Sequence, residues 1–221
     1  MLVIVNTDGT ETVVKKSLVE DGKAYAEIPA GATVKVVEGE SIEFGDVADS
    51  AWYAEAVEFV ASHELFQGTD NGFEPETTMN RAMLAMVLYR LEDATATGNS
   101  NFPDVSDDAW YAEAVAWASE TGIVNGTGKG FEPNAPVTRE QIATMLYRYA
   151  NVIGLDTGSR GELSSFPDGG ETSDWAQDAM AWAVSVGLFQ GDDTGALNPK
   201  GDATRAQVAT LFERMIGLIV K

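Results

Sequence analysis

Three arginines recur at one point of a repeating pattern. Arg81, Arg139 and Arg205 each follow by one residue a side chain suited to cap a helix: Asn80, Thr138 and Thr204. That puts a cation at the first helical position, where it opposes the helix dipole by about 0.3–1 kcal/mol. One such residue means little; three at the same place ask for a reason. An arginine beside the N–H groups of a helix start is a forked donor with a favourable dipole behind it, which makes an anion receptor. On that reading Arg139→Ala leaves the fold intact and costs only a charge-assisted contact to a ligand. The plainer reading is a salt bridge to Asp46, Asp104 or Asp168, each in the Phe-x-Asp segment that opens its copy. The two are compatible, because an aspartate can hold an arginine in place for a ligand.

Two further sets recur with the arginines. Trp52, Trp110 and Trp175 fall in the expected first turn of a first helix, after an Asp/Ser-rich stretch. They either pack in a core, as Trp117 and Trp182 are expected to do, or form the aromatic wall on which a sugar ring stacks. Gly68, Gly126 and Gly191 follow LFQ, IVN and LFQ. Their first duty is to end that helix and turn the chain, with close approach of a ligand as a second use.

Positioning these residues requires a repeated element. The pattern FGDVADSAWYAEAV from Phe44 returns as FPDVSDDAWYAEAV from Phe102 and, more loosely, as FPDGGETSDWAQDAM from Phe166. The Trp-to-Arg spacing is 29, 29 and 30 residues, so the third copy carries one insertion. Within each copy the apolar period is helical. Leu84, Val87, Leu88 and Leu91 fall at i, i+3, i+4 and i+7, as do Ile142, Met145, Leu146 and Tyr149, and again Val208, Leu211, Phe212 and Met215. Trp52, Ala56, Phe59 and Val60 mark the first helix of copy one. Each copy therefore reads helix, Gly-rich loop, helix, and the three second helices are natural members of one shared bundle. Thr138 with Gln141 and Thr204 with Gln207 form capping boxes, whereas Asn80 caps without a reciprocal partner. Such a unit cannot bury its apolar face alone and must pack on its siblings. Residues 1–43 differ: LVIVN, ETVVKK, AYAEI and TVKVVEG, with turns at Asp8-Gly9 and Pro29-Ala30-Gly31, predict four short strands. The division is a small β element or the tail of a preceding domain (1–43), packed on the helical part, and three repeats at 44–94, 102–154 and 166–217.

Composition narrows the function. Fourteen basic against 35 acidic residues give a net charge of −21, which opposes nucleic acid and anionic membranes. There is no cysteine, and the single histidine, His63, reads as an ordinary residue near a helix end. No Ser–His–Asp triad, phosphate loop or calcium loop can be assembled, so neither catalysis nor a cofactor or metal is expected. No apolar run is long enough to span a membrane. The start, Met1 followed by LVIVNTDG, lacks the features of a signal peptide, as expected of a piece of a longer precursor.

The Phe-x-Asp-Val opening, AWYAEAV, the glycine turn, GFEP and VTREQIATMLYR together resemble the S-layer homology (SLH) motif. The TRE and TRA triplets stand where that family carries TRAE, and three tandem copies cover about residues 44–217. The resemblance implies a mainly α fold: three helix–loop–helix repeats in a pseudo-threefold spindle around a central helix bundle. It also implies non-covalent anchoring of an exported protein at the bacterial cell surface. Grooves between repeats would bind secondary cell-wall polysaccharide through a pyruvylated sugar. The implied ligand residues are Arg81, Arg139 and Arg205 from the triplet, with Asp46, Asp104, Asp168, Trp52, Trp110, Trp175 and the loop glycines Gly68, Gly126 and Gly191. The segment is expected to be a monomer, with cell-wall polysaccharide as its partner and without membrane insertion or nucleic-acid binding. The alternative is a structural S-layer or lattice module without a glycan site; a wall-glycan hydrolase has little support. Copy three departs most, with Gly169, Ala176 and Leu197 where the other copies have Val, Tyr and Phe.

Overall fold

The computed structural model describes residues 1–38 and 42–221. Gly39, the last residue of the fourth expected strand, lies outside the described residues. The chain folds as two compact units, residues 1–77 with 205–221, and residues 78–204.

Among the described residues the first unit opens with five strands rather than four: β1 (Leu2–Val5), β2 (Glu11–Val13), β3 (Ser17–Glu20), β4 (Lys23–Ala26) and β5 (Thr33–Val36). An antiparallel sheet has the order β2-β1-β5, with Val3 opposite both Val13 and Lys35. β3 and β4 form a separate hairpin. Its turn holds Asp21 and Gly22 at φ 52° and 73°, the left-handed pair that matches the twist of the strands. β3 packs on the long helix α6 (Arg205–Val220), where Lys221 pairs with Glu20. α6 in turn packs against α1 (Ala54–Ser62). His63, at the end of α1, is buried and stacks on Phe59 at 4.0 Å between ring centroids. Its Nδ1 lies 2.7 Å from the Phe59 carbonyl and must donate to it, so Nε2 of the neutral ring accepts from the Ser17 hydroxyl at 3.4 Å. The lone histidine thus ties β3 to α1.

The second unit contains α2 (Arg81–Leu91), α3 (Ala112–Glu120), α4 (Arg139–Val152) and α5 (Gln177–Ser185). The predicted stripes are buried: Leu84, Val87, Leu88 and Leu91 on α2, Ile142, Met145, Leu146 and Tyr149 on α4. Helix partners cross the copy boundaries. α2 of the first copy packs on α3 of the second, and α4 of the second on α5 of the third. Each contact is centred on a tyrosine against a buried tryptophan, Tyr89 on Trp117 and Tyr147 on Trp182, at 5.9 and 5.6 Å. The α1–α6 pair in the first unit likewise joins the first copy to the third.

Beneath the helix starts, three buried residues close a ring of hydrogen bonds. Val137 N–H donates to Met79 O (3.0 Å), Met79 N–H to Ala203 O (2.9 Å), and Ala203 N–H to Val137 O (3.2 Å). The three residues are fully buried, one from each copy. Thr138 forms the predicted capping box with Gln141, and Asn80 accepts from Met83 N–H without a reciprocal bond. The third copy's Gly169 has a packing cause, since a Cβ there would lie 1.8 Å from the Leu163 carbonyl oxygen.

Candidate functional site

The arginines occupy the predicted first helical positions, but the N–H groups beside them are already engaged. Arg81 N–H donates to Ala135 O (3.1 Å) and Ala82 N–H to Pro133 O (3.0 Å). Arg139 and Glu140 bond likewise to Gly201 and Pro199, and Arg205 and Ala206 to Thr77 and Pro75. Loop carbonyls therefore take the place that the sequence reading left for an anion. The side chains continue the same theme. Arg81 Nε donates to Phe131 O (2.7 Å) and its Nη2 to Asn125 O (3.2 Å). Arg205 matches this on Phe73 O (2.7 Å) and Gln67 O (3.0 Å), and Arg139 Nε donates to Leu197 O (2.6 Å). Each guanidinium also lies over a ring: Arg81 over Phe131, Arg139 over Phe189, Arg205 over Phe73, at 4.7–4.8 Å. A cation at the helix start is favourable here because carbonyl oxygens converge on it. Arg81 is only 6% exposed, and burial lowers its pKa, opposed by Glu132 and Asp104 and reinforced by Arg148.

The aspartates hold the same loops from the other side. Asp104 accepts from the N–H groups of Phe131 (2.8 Å) and Glu132 (2.6 Å). Asp46 grips Phe73 and Glu74, and Asp168 grips Leu197 and Asn198, at the same distances. The second residue of each pair is left-handed, with φ of 56°, 57° and 49° for Glu74, Glu132 and Asn198. Asp104 and Arg81 thus meet on the two polar groups of one residue, Phe131, rather than through the expected direct salt bridge. Burial works to raise the pKa of Asp104 and of Asp46, yet the two backbone N–H bonds and the field of Arg81 or Arg205 outweigh it, leaving both below the usual carboxylate value.

The glycines lie beyond the helix ends. The left-handed residues that end the first helices are Glu64, Gly122 and Gly187, several positions earlier. A Cβ on Gly68 would stand 2.5 Å from Phe44 Cε1, and one on Gly126 would stand 2.9 Å from Phe102 Cε1 and from Gly130 O. These glycines make room for the phenylalanine that opens their own copy. Gly191 is needed for its φ of 83°.

Trp52 and Trp110 precede their helices, since α1 and α3 begin at Ala54 and Ala112, whereas Trp175 lies in a 3-10 turn (Asp174–Ala176) that runs directly into α5 at Gln177. Trp52, Trp110 and Trp175 are 67%, 59% and 58% exposed, whereas Trp117 and Trp182 are buried. Glu140, buried at the start of α4, accepts from Ser173 N–H (2.9 Å) and Ser173 Oγ–H (3.0 Å), and so fixes the turn that carries Trp175.

In the second unit these parts surround one cavity of about 480 Å³. Arg81 contributes from the first copy, the loop Val124–Thr127 and α4 from the second, and Trp175 from the third. On α4 the lining side chains are Gln141, Thr144, Met145 and Arg148. Gly126 is thereby brought beside Arg81 and Trp175, while Asp104 stands behind the loop. Arg148 was not among the residues singled out from sequence. Its signal was present, because Arg90, Arg148 and Arg214 each follow a recurrent arginine by nine residues. The lining offers cationic and amide donors beside an aromatic face and no carboxylate, an arrangement suited to a small polar anion. Among the described residues no acidic or histidine cluster could hold a metal, and no helix is long and apolar enough to cross a membrane.

The sequence profile of the S-layer homology domain matches residues 43–83, 101–143 and 165–209, more than half of the chain. Exoglucanase XynX of Acetivibrio thermocellus is 34% identical over 174 residues, 78% of this chain and 16% of that protein. Amylopullulanase of Thermoanaerobacterium thermosulfurigenes is 33% identical over 171 residues, 76% of this chain and 9% of that protein. The surface-layer 125 kDa protein of Lysinibacillus sphaericus is 33% identical over 199 residues, 87% of this chain and 16% of that protein. The chain therefore spans well under a quarter of the length of these relatives.

Proposed function

Because the chain belongs to the S-layer homology domain family, we propose that it anchors an exported protein non-covalently to the bacterial cell wall by binding secondary cell-wall polysaccharide. The observation that carries this is the cavity in which Arg81, Arg148 and Trp175 come together without an acidic residue in the lining. A pyranose stacks on the indole, and its acidic substituent, a pyruvate ketal carboxylate, meets the guanidinium groups. Arg139, Arg205, Trp52, Trp110, Gly68 and Gly191 occupy the corresponding positions of the other copies. Asp46, Asp104 and Asp168 act by holding the loops. Within the second unit, the closed ring through Met79, Val137 and Ala203, one residue from each copy, supports a pseudo-threefold relation of the three helix starts.

The relatives support attachment over catalysis. Proteins named for glucan-cleaving and pullulan-cleaving activity, and one named for a surface layer, share this segment while it forms a small part of each. A segment common to such different proteins is a delivery module, and the protein that carries it is exported to the cell surface. Cosedimentation with purified sacculi tests this. The protein should pellet with native sacculi and stay in solution once the secondary polysaccharide has been extracted. Equal pelleting with extracted sacculi overturns the reading.

A further inference from the structure

We propose that Arg148, rather than the recurrent arginine at the helix start, is the principal cation for the acidic group of the ligand, with Arg81 serving mainly to lock the loop beneath it. This rests on the glycan-binding reading of the same cavity and assigns its charge recognition to a particular residue. Arg81 is almost fully buried, its Nε and Nη2 are bonded to Phe131 O and Asn125 O, and its face lies on the Phe131 ring. Turning Nε from the loop to a ligand would leave the buried Phe131 carbonyl without its partner. Arg148 comes from the middle of α4 and is half-buried at the wall of the same cavity. With the Asn125 amide turned so that its nitrogen donates to Val124 O (3.1 Å), the amide oxygen accepts from Arg148 Nη2 (3.2 Å). That neutral contact orients the guanidinium without neutralising it.

Charge points the same way. Burial lowers the pKa of Arg148, and Arg148 is among the groups that lower that of Arg81, so the two cations disfavour each other across the cavity. An anion between them relieves both. The flanking groups narrow its class. Met145 and Trp175 give apolar surface for a ring, and Gln141 offers an amide. Thr144 donates its hydroxyl to Glu140 O (2.8 Å), which turns the oxygen lone pairs outward as acceptors for a sugar hydroxyl. The ligand is a pyranose with one carboxylate, matched by the planar fork of an arginine.

The test is calorimetric titration of native secondary wall polysaccharide, and of the same material depyruvylated by mild acid, into the wild-type chain, Arg148→Ala and Arg148→Gln, with thermal melts of each. Wild type should prefer the native polysaccharide. Both variants should melt like wild type and lose about tenfold or more in affinity for native material. Their affinity for depyruvylated material should be unchanged. Variants that bind native polysaccharide within about twofold of a discriminating wild type overturn the role of Arg148 and leave the anchoring function standing. Loss of both materials alike makes Arg148 structural and overturns it too. A wild type that binds neither removes the anchoring function, and this inference with it.

Discussion

Arg81→Ala separates a loop lock from a ligand group. The substitution removes the bond from Nε to Phe131 O at 2.7 Å, the bond from Nη2 to Asn125 O at 3.2 Å, and a guanidinium stacked 4.8 Å from the Phe131 ring centroid. Charge-assisted hydrogen bonds are worth about 1.5–3 kcal/mol each, and the stack adds about 0.5–1 kcal/mol. Relief of an unfavourable dipole interaction returns about 0.3–1 kcal/mol at most. The net cost is about 3–5 kcal/mol, because the two bonds share one ordered side chain and do not add in full. For a chain of 221 residues this corresponds to a fall in melting temperature of roughly 6–20 °C. Arg81→Lys should recover less than half of it, since one ammonium cannot span both carbonyls. The assay is thermal melting followed by circular dichroism. An Arg81→Ala protein that melts within about 2 °C of wild type refutes the lock and returns Arg81 to the role of ligand receptor.

The two classes of tryptophan should part in the same way. Trp117→Ala should cost about 3–5 kcal/mol through the cavity it leaves against Tyr89, while the exposed Trp175→Ala should cost little stability and weaken polysaccharide binding. Equal melting losses would assign both to packing. Gly169→Val restores the residue present in the other two copies yet should destabilise by about 1–3 kcal/mol or more, because the new Cβ meets a backbone oxygen; an unchanged urea midpoint contradicts this. His63 gives a pH dependence. Burial first, then the chain's amino terminus, lowers its pKa below the ordinary 6.5, so the unfolded chain binds more protons below that pH. Its contribution is fully present above about pH 6.5 and is lost as pH falls below it. The urea midpoint should drop between pH 7.5 and 5 in wild type and drop less in His63→Gln; parallel curves would show that another group is responsible.

Much of this organisation was legible because helical period and capping chemistry are local. The stripes at Leu84–Leu91 and Ile142–Tyr149, the Thr138–Gln141 box and the Asn80 cap follow from side chains a few residues apart. Partners were less legible. An apolar stripe says that a helix face is buried without saying against what, so the packing of α2 on α3 and α4 on α5 across copies could not be read from stripes that are alike. The arginines were correctly singled out, but their surroundings come from loops tens of residues away, and only the fold brings Ala135, Pro133, Phe131 and Asn125 carbonyls to one helix start. Their apparent electrostatic misfit had a structural cause, a convergence of oxygens. Two signals were available and unused. Asp21-Gly22 between SLVE and KAYA is a hairpin turn that would have divided the β element into five strands. The second recurrent arginine, Arg148, carries the same periodic mark as the first.

Heteronuclear NMR on the wild-type chain, following the tryptophan indole N–H and arginine Nε–H resonances during titration with native secondary wall polysaccharide, tests the central claim most directly. The account predicts saturable shifts of the Trp175 indole and the Arg148 Nε–H. The buried Trp117 and Trp182 indoles should stay in place, and depyruvylated polysaccharide should cause far smaller changes. Saturable binding that leaves Trp175 and Arg148 unmoved, or shifts that do not distinguish the two polysaccharides, would contradict an acidic-sugar site in this cavity.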